Sequence, residues 1–319
     1  MLTVVVGLTS ALVFGAADFL GGLATRRLGA VLATGLAAAV GIGVFTLIGF
    51  VVPGRWSWEA VGYGALSGVF GAIAIGLLYA CLAIGPMSIL SPLTALVSAV
   101  VPLVVAVTAG DAIGLLGWLG LGVGLVAIVF VGFVPEKGAV RPSTRGIVMA
   151  IGSGAAIGAF LIVMDLAPDD SGVLPMLANR TTNAAIMLTI AAVIGVVAAL
   201  RRSRAESSAG QSSAGRVPPQ AVHRDLPPPA PQRDAGRTGR GLRAGIWLVV
   251  ACGVVDAVAN GGLLWGVRIG DLSVMAVLTA LYPIGTIVLA RVVLKERIAP
   301  IQYVGLALAI AASALLALD

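Results

Sequence analysis

Long apolar runs follow one another along almost the whole chain, and they restrict its fold more than any other feature. A transmembrane helix needs about 20 consecutive, predominantly apolar residues. Ten segments satisfy this requirement: 2–24, 31–52, 60–84, 88–109, 112–134, 146–167, 172–200, 244–267, 272–294 and 300–318. The runs are about twice as long as a membrane β-strand and do not alternate between polar and apolar residues. The sequence therefore predicts an all-α integral membrane protein with ten transmembrane helices.

The composition supports a membrane environment and argues against other classes. Charged residues make up only 11% of the chain, whereas soluble domains carry roughly 25%. Many of the basic residues lie in one segment, so the net charge of +6 does not indicate a nucleic-acid partner. Cys81 and Cys252 lie in apolar runs, and His223 has no ligand cluster beside it. We therefore expect no metal and no cofactor. Without a phosphate-binding glycine loop we expect no ATP hydrolysis, and because the interfacial acids are scattered and lack a histidine we expect no enzymatic activity.

One polar segment, residues 201–243, interrupts the apolar pattern. It is rich in Pro, Ser and Gly, contains nine arginines and has few aliphatic residues. Such a segment cannot bury enough apolar surface to offset its chain entropy, so it is predicted to be a disordered linker. It is either a tether whose charge sets the topology or a contact for anionic lipid or a partner protein. The tether is the interpretation we favour.

The chain also contains an internal repeat. "IGPMSILSPLTALVSA" at 84–99 and "IGDLSVMAVLTALYPI" at 269–284 share seven of sixteen residues at an offset of 185. Nearer the N-terminus, "SALVFGA" from Ser10 resembles "SGAAIGA" from Ser153 at an offset of 143. The two offsets differ by about the length of the linker. We infer two five-helix halves, 1–134 and 146–319, of which the second contains the linker. Because five is odd, the halves must run through the membrane in opposite directions.

These motifs resemble one known family. The first helix contains "GAADFLGG", the repeat contributes "IGPMSILSPLTAL" and "IGDLSVMAVLTALYP", and the chain ends in "LKERIAPIQYVGLALAIAASALL". Together they resemble the drug/metabolite transporter superfamily, EamA-type, over nearly the whole chain except the linker. Glu296 matches the acidic residue that is usual after the penultimate helix, and Asp111 stands at the corresponding place in the first half. The resemblance implies a ten-helix transporter of small metabolites, often an exporter of amino acids or drugs.

We therefore expect a secondary active transporter that moves a small metabolite or drug across the cell membrane by alternating access. An amino acid-like substrate, export, and a monomer or weak homo-oligomer are the finer expectations. The partners would be a small-molecule substrate, the lipid bilayer and, if Asp18 or Asp256 couples transport to a gradient, protons. The alternatives are a non-transporting membrane scaffold and a lipid-handling membrane protein.

The distribution of basic residues predicts the orientation. Loops after odd-numbered spans contain 17 Lys and Arg residues, and loops after even-numbered spans contain two. The positive-inside rule therefore places the linker in the cytoplasm and both termini outside. The family resemblance implies both termini inside, but we follow the charge because it acts on this chain.

Ionisable side chains inside a membrane span are costly and mark a pathway by default. Asp18 lies in the first span, and Asp256 and Asn260 share one face of the eighth span, with Trp265 about one turn further along. An acid, an amide and an indole on one helix suit a cavity that holds an amine or a polar metabolite. Alternatively, Asp18 is a carboxyl near the membrane interface, and Asp256 and Asn260 form an interhelical hydrogen bond that serves only packing.

The densest polar cluster inside a span is "NRTTN", at 179–183. Arg180 and Asn183 are the candidate site residues of this cluster. Arg180 would hold a substrate carboxylate or form a structural ion pair at the helix entry. Its expected counter-ion is one of three acids of the neighbouring loop: Asp165, Asp169 and Asp170.

Tyr79 and Tyr282 are further candidates to orient a ligand. Pro92, Pro102 and Pro283 are expected to interrupt the repeated helices, because proline removes a hydrogen bond of the helix and frees carbonyl groups. Glycine pairs spaced four apart are expected to let helices pack closely: Gly64 and Gly68, Gly120 and Gly124, Gly154 and Gly158, and Gly262 and Gly266.

Overall fold

The computed structural model describes residues 1–52, 54–84, 87–110, 113–132, 143–213, 235–293 and 300–318. Within these residues the regular structure is entirely helical, which confirms the all-α prediction. A short 3-10 turn spans Asp169–Ser171. The α-helices are α1 (Leu2–Leu28), α2 (Ala30–Val51), α3 (Trp58–Ile84), α4 (Met87–Ala109), α5 (Leu115–Gly132), α6 (Thr144–Asp165), α7 (Leu174–Ser213), α8 (Ala235–Ile269), α9 (Leu272–Thr279), α10 (Pro283–Val293) and α11 (Pro300–Leu318).

The membrane-spanning character of the chain is confirmed by its helices. In the described parts of the chain, six helices are long and apolar enough to cross a bilayer: α1, α2, α3, α6, α7 and α8. Three apolar stretches in α4, α5 and α11 are shorter: Leu93–Ala109, Leu115–Phe130 and Pro300–Leu316. The protein is therefore a multi-pass membrane protein.

The ninth predicted span is broken in its middle. α9 ends at Thr279, and α10 begins at Pro283. Between them the backbone turns tightly, with the N–H of Tyr282 donating to the carbonyl of Thr279 at 3.0 Å. Pro283 starts the second helix because its ring fixes a helical φ and the first helical position needs no N–H donor. The interruption predicted at this proline is confirmed.

The interruptions predicted at Pro92 and Pro102 are wrong. α4 continues through both positions. A membrane helix tolerates an internal proline when neighbouring groups satisfy the freed carbonyl groups. The two copies of the sequence repeat therefore have different backbones, continuous in α4 and broken between α9 and α10.

The helices pack in pairs that join the two halves of the chain. α1 packs against α8, and α3 packs against α6. α2 crosses α7, and α5 pairs with α11. α4 lies against α6, while α9 and α10 lie against α1. A buried cluster that includes Leu161, Leu263, Val267, Leu272 and Met275 links α6, α8 and α9.

Glycines allow two of these contacts to be very close. A Cβ added to Gly68 of α3 would lie 2.6 Å from the carbonyl oxygen of Asn179 in α7. A Cβ added to Gly154 of α6 would lie 2.6 Å from the carbonyl oxygen of Thr94 in α4. Only glycine lets backbones approach this closely, so the close packing predicted from these glycine pairs is confirmed.

The predicted linker 201–243 is partly helical. α7 continues to Ser213, and α8 begins at Ala235, so the prediction of disorder is wrong at both ends of the segment. Alanine, arginine and glutamate in these ends favour a helix that has already been nucleated in the membrane. At 40 residues, α7 is about 60 Å long, which exceeds the roughly 30 Å of hydrocarbon in a bilayer. Residues 214–234 lie outside the described part.

Candidate functional site

A cavity of about 230 Å³ lies between α1, α3, α4, α6, α7, α8 and α9. Six of the eight predicted site residues line it: Asp18, Arg180, Asn183, Asp256, Asn260 and Tyr282. They come from four regions of the chain that are far apart in sequence. The structure therefore brings most of the candidate residues to one place.

An ion pair crosses this cavity from α7 to α8. Nη1 of Arg180 lies 2.9 Å from Oδ2 of Asp256. The exposed fraction of the side chain is 11% for the arginine and 24% for the aspartate, so the pair is largely but not fully removed from water. The prediction that an acid of the neighbouring loop neutralises Arg180 is wrong.

Asn260 holds the other oxygen of the same carboxylate. Its Nδ2 donates to Oδ1 of Asp256 at 3.1 Å and to the backbone carbonyl of Asp256 at 2.8 Å. The predicted shared face of these two residues is confirmed by this contact. Asp256 thus has one oxygen on a guanidinium and one on an amide, which fixes the orientation of its carboxylate.

Several buried polar atoms beside the ion pair have no hydrogen-bond partner in the described residues. They include Nε of Arg180, Oδ1 of Asn183 and Oγ1 of Thr279, and all three residues line the cavity. Asn183 is only 4% exposed. An unsatisfied buried polar group costs roughly 1–3 kcal/mol. These atoms are therefore suited to bind a ligand or water that enters the cavity.

Asn179 has a different role from its neighbours in "NRTTN". Its Nδ2 donates to Oγ of Ser67 at 2.8 Å, and that hydroxyl donates to the carbonyl of Gly64 at 2.7 Å. Asn179 thus ties α7 to α3 where the glycines let the two helices approach. This bond fixes the position of the helix that carries Arg180 and Asn183.

Asp18 supplies a second carboxylate to the cavity. It lies on α1 and is exposed, in contrast to the buried Ala17 and the half-buried Asp256. The ionisable groups among the described lining residues are thus Asp18, Asp256, Arg180 and the phenol of Tyr282. With both carboxylates ionised, the cavity carries one more negative than positive charge.

Two predicted site residues are not placed in the cavity. Trp265 is 52% exposed and is absent from the described lining, so the structure does not bring it to this cavity. It follows Asn260 by five positions, which turns its side chain by about 140° to another side of the helix. The side chain of Tyr79 lies outside the described part of the structure.

An apolar wall completes the cavity, and the sequence did not identify it. Phe14, Phe160, Leu161 and Leu263 form this apolar wall. In a chain with 59% hydrophobic residues, the sequence gives no signal that separates an apolar residue facing a ligand from one facing lipid. Only the fold, which brings residues of α1, α6 and α8 together, identifies these residues.

The loop acids predicted to pair with Arg180 form contacts at one end of the bundle instead. Nη1 of Arg55 lies 3.6 Å from Oδ2 of Asp170. Nε of Arg268 lies 3.9 Å from Oδ1 of Asp169, and Nη2 of the same arginine donates to Oγ of Ser171 at 3.2 Å. These contacts join the α6–α7 loop to the α2–α3 loop and to the end of α8.

The comparisons with known proteins agree with this architecture. Residues 228–318 match the family model described as the EamA-like transporter family. This part of the chain is therefore similar to that family, in agreement with the resemblance stated from the sequence motifs. A solved crystal structure is similar over 99% of this chain and 98% of its own chain, with a TM-score of 0.66 and 18% identity. At that identity the likeness concerns the fold alone. A search of curated proteins found no match.

Proposed function

We propose that this protein is an EamA-type secondary active transporter that moves a small metabolite or drug across the cell membrane by alternating access. The observation that supports this most is the charged cavity enclosed by helices from both halves of the chain. Substrate sites of transporters built from inverted repeats lie near the bilayer midplane between the halves. We further propose export, which the family resemblance implies, and a substrate that combines polar and apolar parts, because both charged and apolar side chains line the cavity.

The packing pairs support an inverted repeat with two five-helix halves. Suppose that each helix of the first half corresponds to the helix five spans later, with α9 and α10 together forming the ninth span. The contact of α1 with α8 then corresponds to a contact of α6 with α3, and both contacts occur. Likewise, the contact of α2 with α8 corresponds to that of α7 with α3. The contact of α4 with α6 corresponds to those of α9 and α10 with α1. Two further contacts join a helix to its own counterpart in the other half: α2 contacts α7, and α5 contacts α11. A pseudo-twofold relation between the halves predicts this set of contacts.

Transport is tested with the purified full chain in liposomes. We expect at least one compound from a panel of amino acids, sugars, polyamines and cationic drugs to move across the membrane, and a pH gradient to increase its rate. Asp18→Asn and Asp256→Asn should each remove the effect of the gradient, because they remove the carboxylates that would carry a proton. Glu59→Gln is the matched control, since Glu59 is an exposed acid at the start of α3. Transport that ignores the gradient and persists in both aspartate variants would refute proton coupling.

The orientation has its own test. We propose that the linker 201–243 is cytoplasmic and that both termini are outside, because the basic residues concentrate in the loops after odd-numbered spans. Single cysteines at the C-terminus and within 214–234 should react with a membrane-impermeant reagent from opposite sides of intact cells. Reaction of the linker from outside, or of the C-terminus only after lysis, would reverse the orientation.

A further inference from the structure

We propose that the cavity selects small organic monocations, meaning molecules that join one ammonium group to an apolar part. This rests on the proposed function, because it names the substrate class of the same transport site. The first reason is the charge balance among the described lining residues, two carboxylates and one guanidinium. A ligand with one positive charge neutralises the cavity, whereas an anion doubles its net negative charge.

The guanidinium of Arg180 is already bound. Its Nη1 lies 2.9 Å from the carboxylate of Asp256, and that carboxylate is also held by Asn260. A substrate carboxylate placed on Arg180 would therefore lie beside Asp256, and like charges at such a distance repel. The structure consequently disfavours the expectation that Arg180 recognises an acidic group.

Asp18 is the carboxylate that remains for a ligand. It is exposed and on the cavity surface, whereas both oxygens of Asp256 have partners within the protein. An ammonium group is a compact charge with up to three N–H donors and no acceptor. Asp18 therefore offers the charge partner, and the ammonium needs further acceptors to satisfy its other donors.

Buried acceptors are present in the same cavity. Oδ1 of Asn183 has no partner among the described residues, and the residue is 4% exposed. Oγ1 of Thr279 is likewise unpartnered and can accept or donate. Nε of Arg180 is the unpartnered donor, and a hydroxyl or carbonyl oxygen of a ligand satisfies it without adding charge. The unsatisfied atoms thus suit a cation that also carries a neutral polar group.

Volume and the apolar wall define the rest of the ligand. The cavity of about 230 Å³ is smaller than the roughly 300–1,000 Å³ typical of sites for drug-sized molecules. Phe14 and Phe160 lie in the wall, and aromatic residues favour both apolar groups and nearby cations. A primary amine with one aromatic ring has the expected size and polarity.

The test compares four probes that share a phenyl ring and a short chain but differ in charge. These are phenethylamine, 2-phenylethanol, 3-phenylpropionate and phenylalanine, which are a cation, a neutral molecule, an anion and a zwitterion. The thermal unfolding of the purified full chain gives the affinity of each, because a ligand that binds only the folded state stabilises it. We expect phenethylamine to bind at least about tenfold more tightly than 2-phenylethanol, which is roughly 1.4 kcal/mol, and 3-phenylpropionate to bind most weakly.

Asp18 variants assign the preference to one residue. Asp18→Asn should reduce the difference between phenethylamine and 2-phenylethanol to less than about threefold, and Asp18→Glu should keep it. Glu59→Gln, which removes an exposed acid outside the cavity, should leave the ranking of the four probes unchanged. Because Asp18 is exposed, Asp18→Asn should fold, and its unliganded unfolding temperature provides the check.

The outcomes separate this inference from the transport function. Tightest binding of the anion or the zwitterion, a ranking that Asp18→Asn does not alter, or no binding of any probe overturns the selection of monocations. In that case, transport of sugars or acids in liposomes would still support the proposed transport function. Conversely, Asp18-dependent binding of phenethylamine with no movement of any compound in liposomes supports the cation site and refutes transport.

Discussion

Arg180→Ala is expected to lower the free energy of unfolding by about 2 kcal/mol and to abolish transport. The substitution leaves the carboxylate of Asp256 without the guanidinium that lies 2.9 Å away. Removing one partner of a buried pair typically costs 3–5 kcal/mol, because a desolvated charge remains. We expect a smaller cost here, since the side chain of Asp256 is 24% exposed and water in the cavity hydrates it. The midpoint of thermal unfolding in detergent measures the change.

Two controls separate the charge from the loss of side-chain volume. The double variant Arg180→Ala with Asp256→Ala removes both charges, so it should be more stable than Arg180→Ala alone. Arg55→Ala breaks an ion pair in which the arginine side chain is 85% exposed, and such pairs contribute at most about 1 kcal/mol. If Arg180→Ala loses expression and transport in equal proportion, the ion pair is structural. If the double variant is less stable than Arg180→Ala, stranded charge is not the cause.

Much of the fold could be predicted from the sequence because the bilayer imposes one simple requirement on each span. Apolar runs of sufficient length become helices, since no other backbone satisfies its polar groups in lipid. The predicted limits of the first and second spans therefore lie close to those of α1 and α2. Prolines were less informative, because their effect depends on neighbours: α4 passes through Pro92 and Pro102, while the chain breaks before Pro283.

The candidate site was only partly predictable. Charged groups inside spans stand out against apolar residues, so Asp18, Arg180 and Asp256 could be identified without a structure. The pairing of Arg180 with Asp256 could not, because it depends on which helices touch, and residues 76 positions apart in sequence are joined only by the fold. The position of Trp265 outside the cavity has a different cause. Residues close together along a helix need not share a face, and five positions correspond to about 140° of rotation.

Gly64→Ala is expected to destabilise the protein by about 2 kcal/mol, whereas Gly62→Ala on the same helix should be neutral or slightly stabilising. A Cβ on Gly64 would lie 2.8 Å from Cα of Pro175 and 2.8 Å from Cβ of Ala178, so α7 would have to move away from α3. Overpacking of this kind costs about 1–3 kcal/mol. Gly62 has nothing within 4 Å of the added Cβ, and alanine favours an exposed helix by up to about 1 kcal/mol.

The same pair of variants tests whether the helix contact maintains the cavity. α7 carries Arg180 and Asn183, and the bond from Asn179 to Ser67 lies beside the glycine contact. Movement of α7 away from α3 should therefore weaken binding of phenethylamine at least about tenfold in Gly64→Ala and leave it unchanged in Gly62→Ala. Thermal unfolding with and without the amine measures both effects in one experiment. If Gly64→Ala keeps the stability and affinity of the unaltered chain, the close approach of α3 and α7 does not position the site.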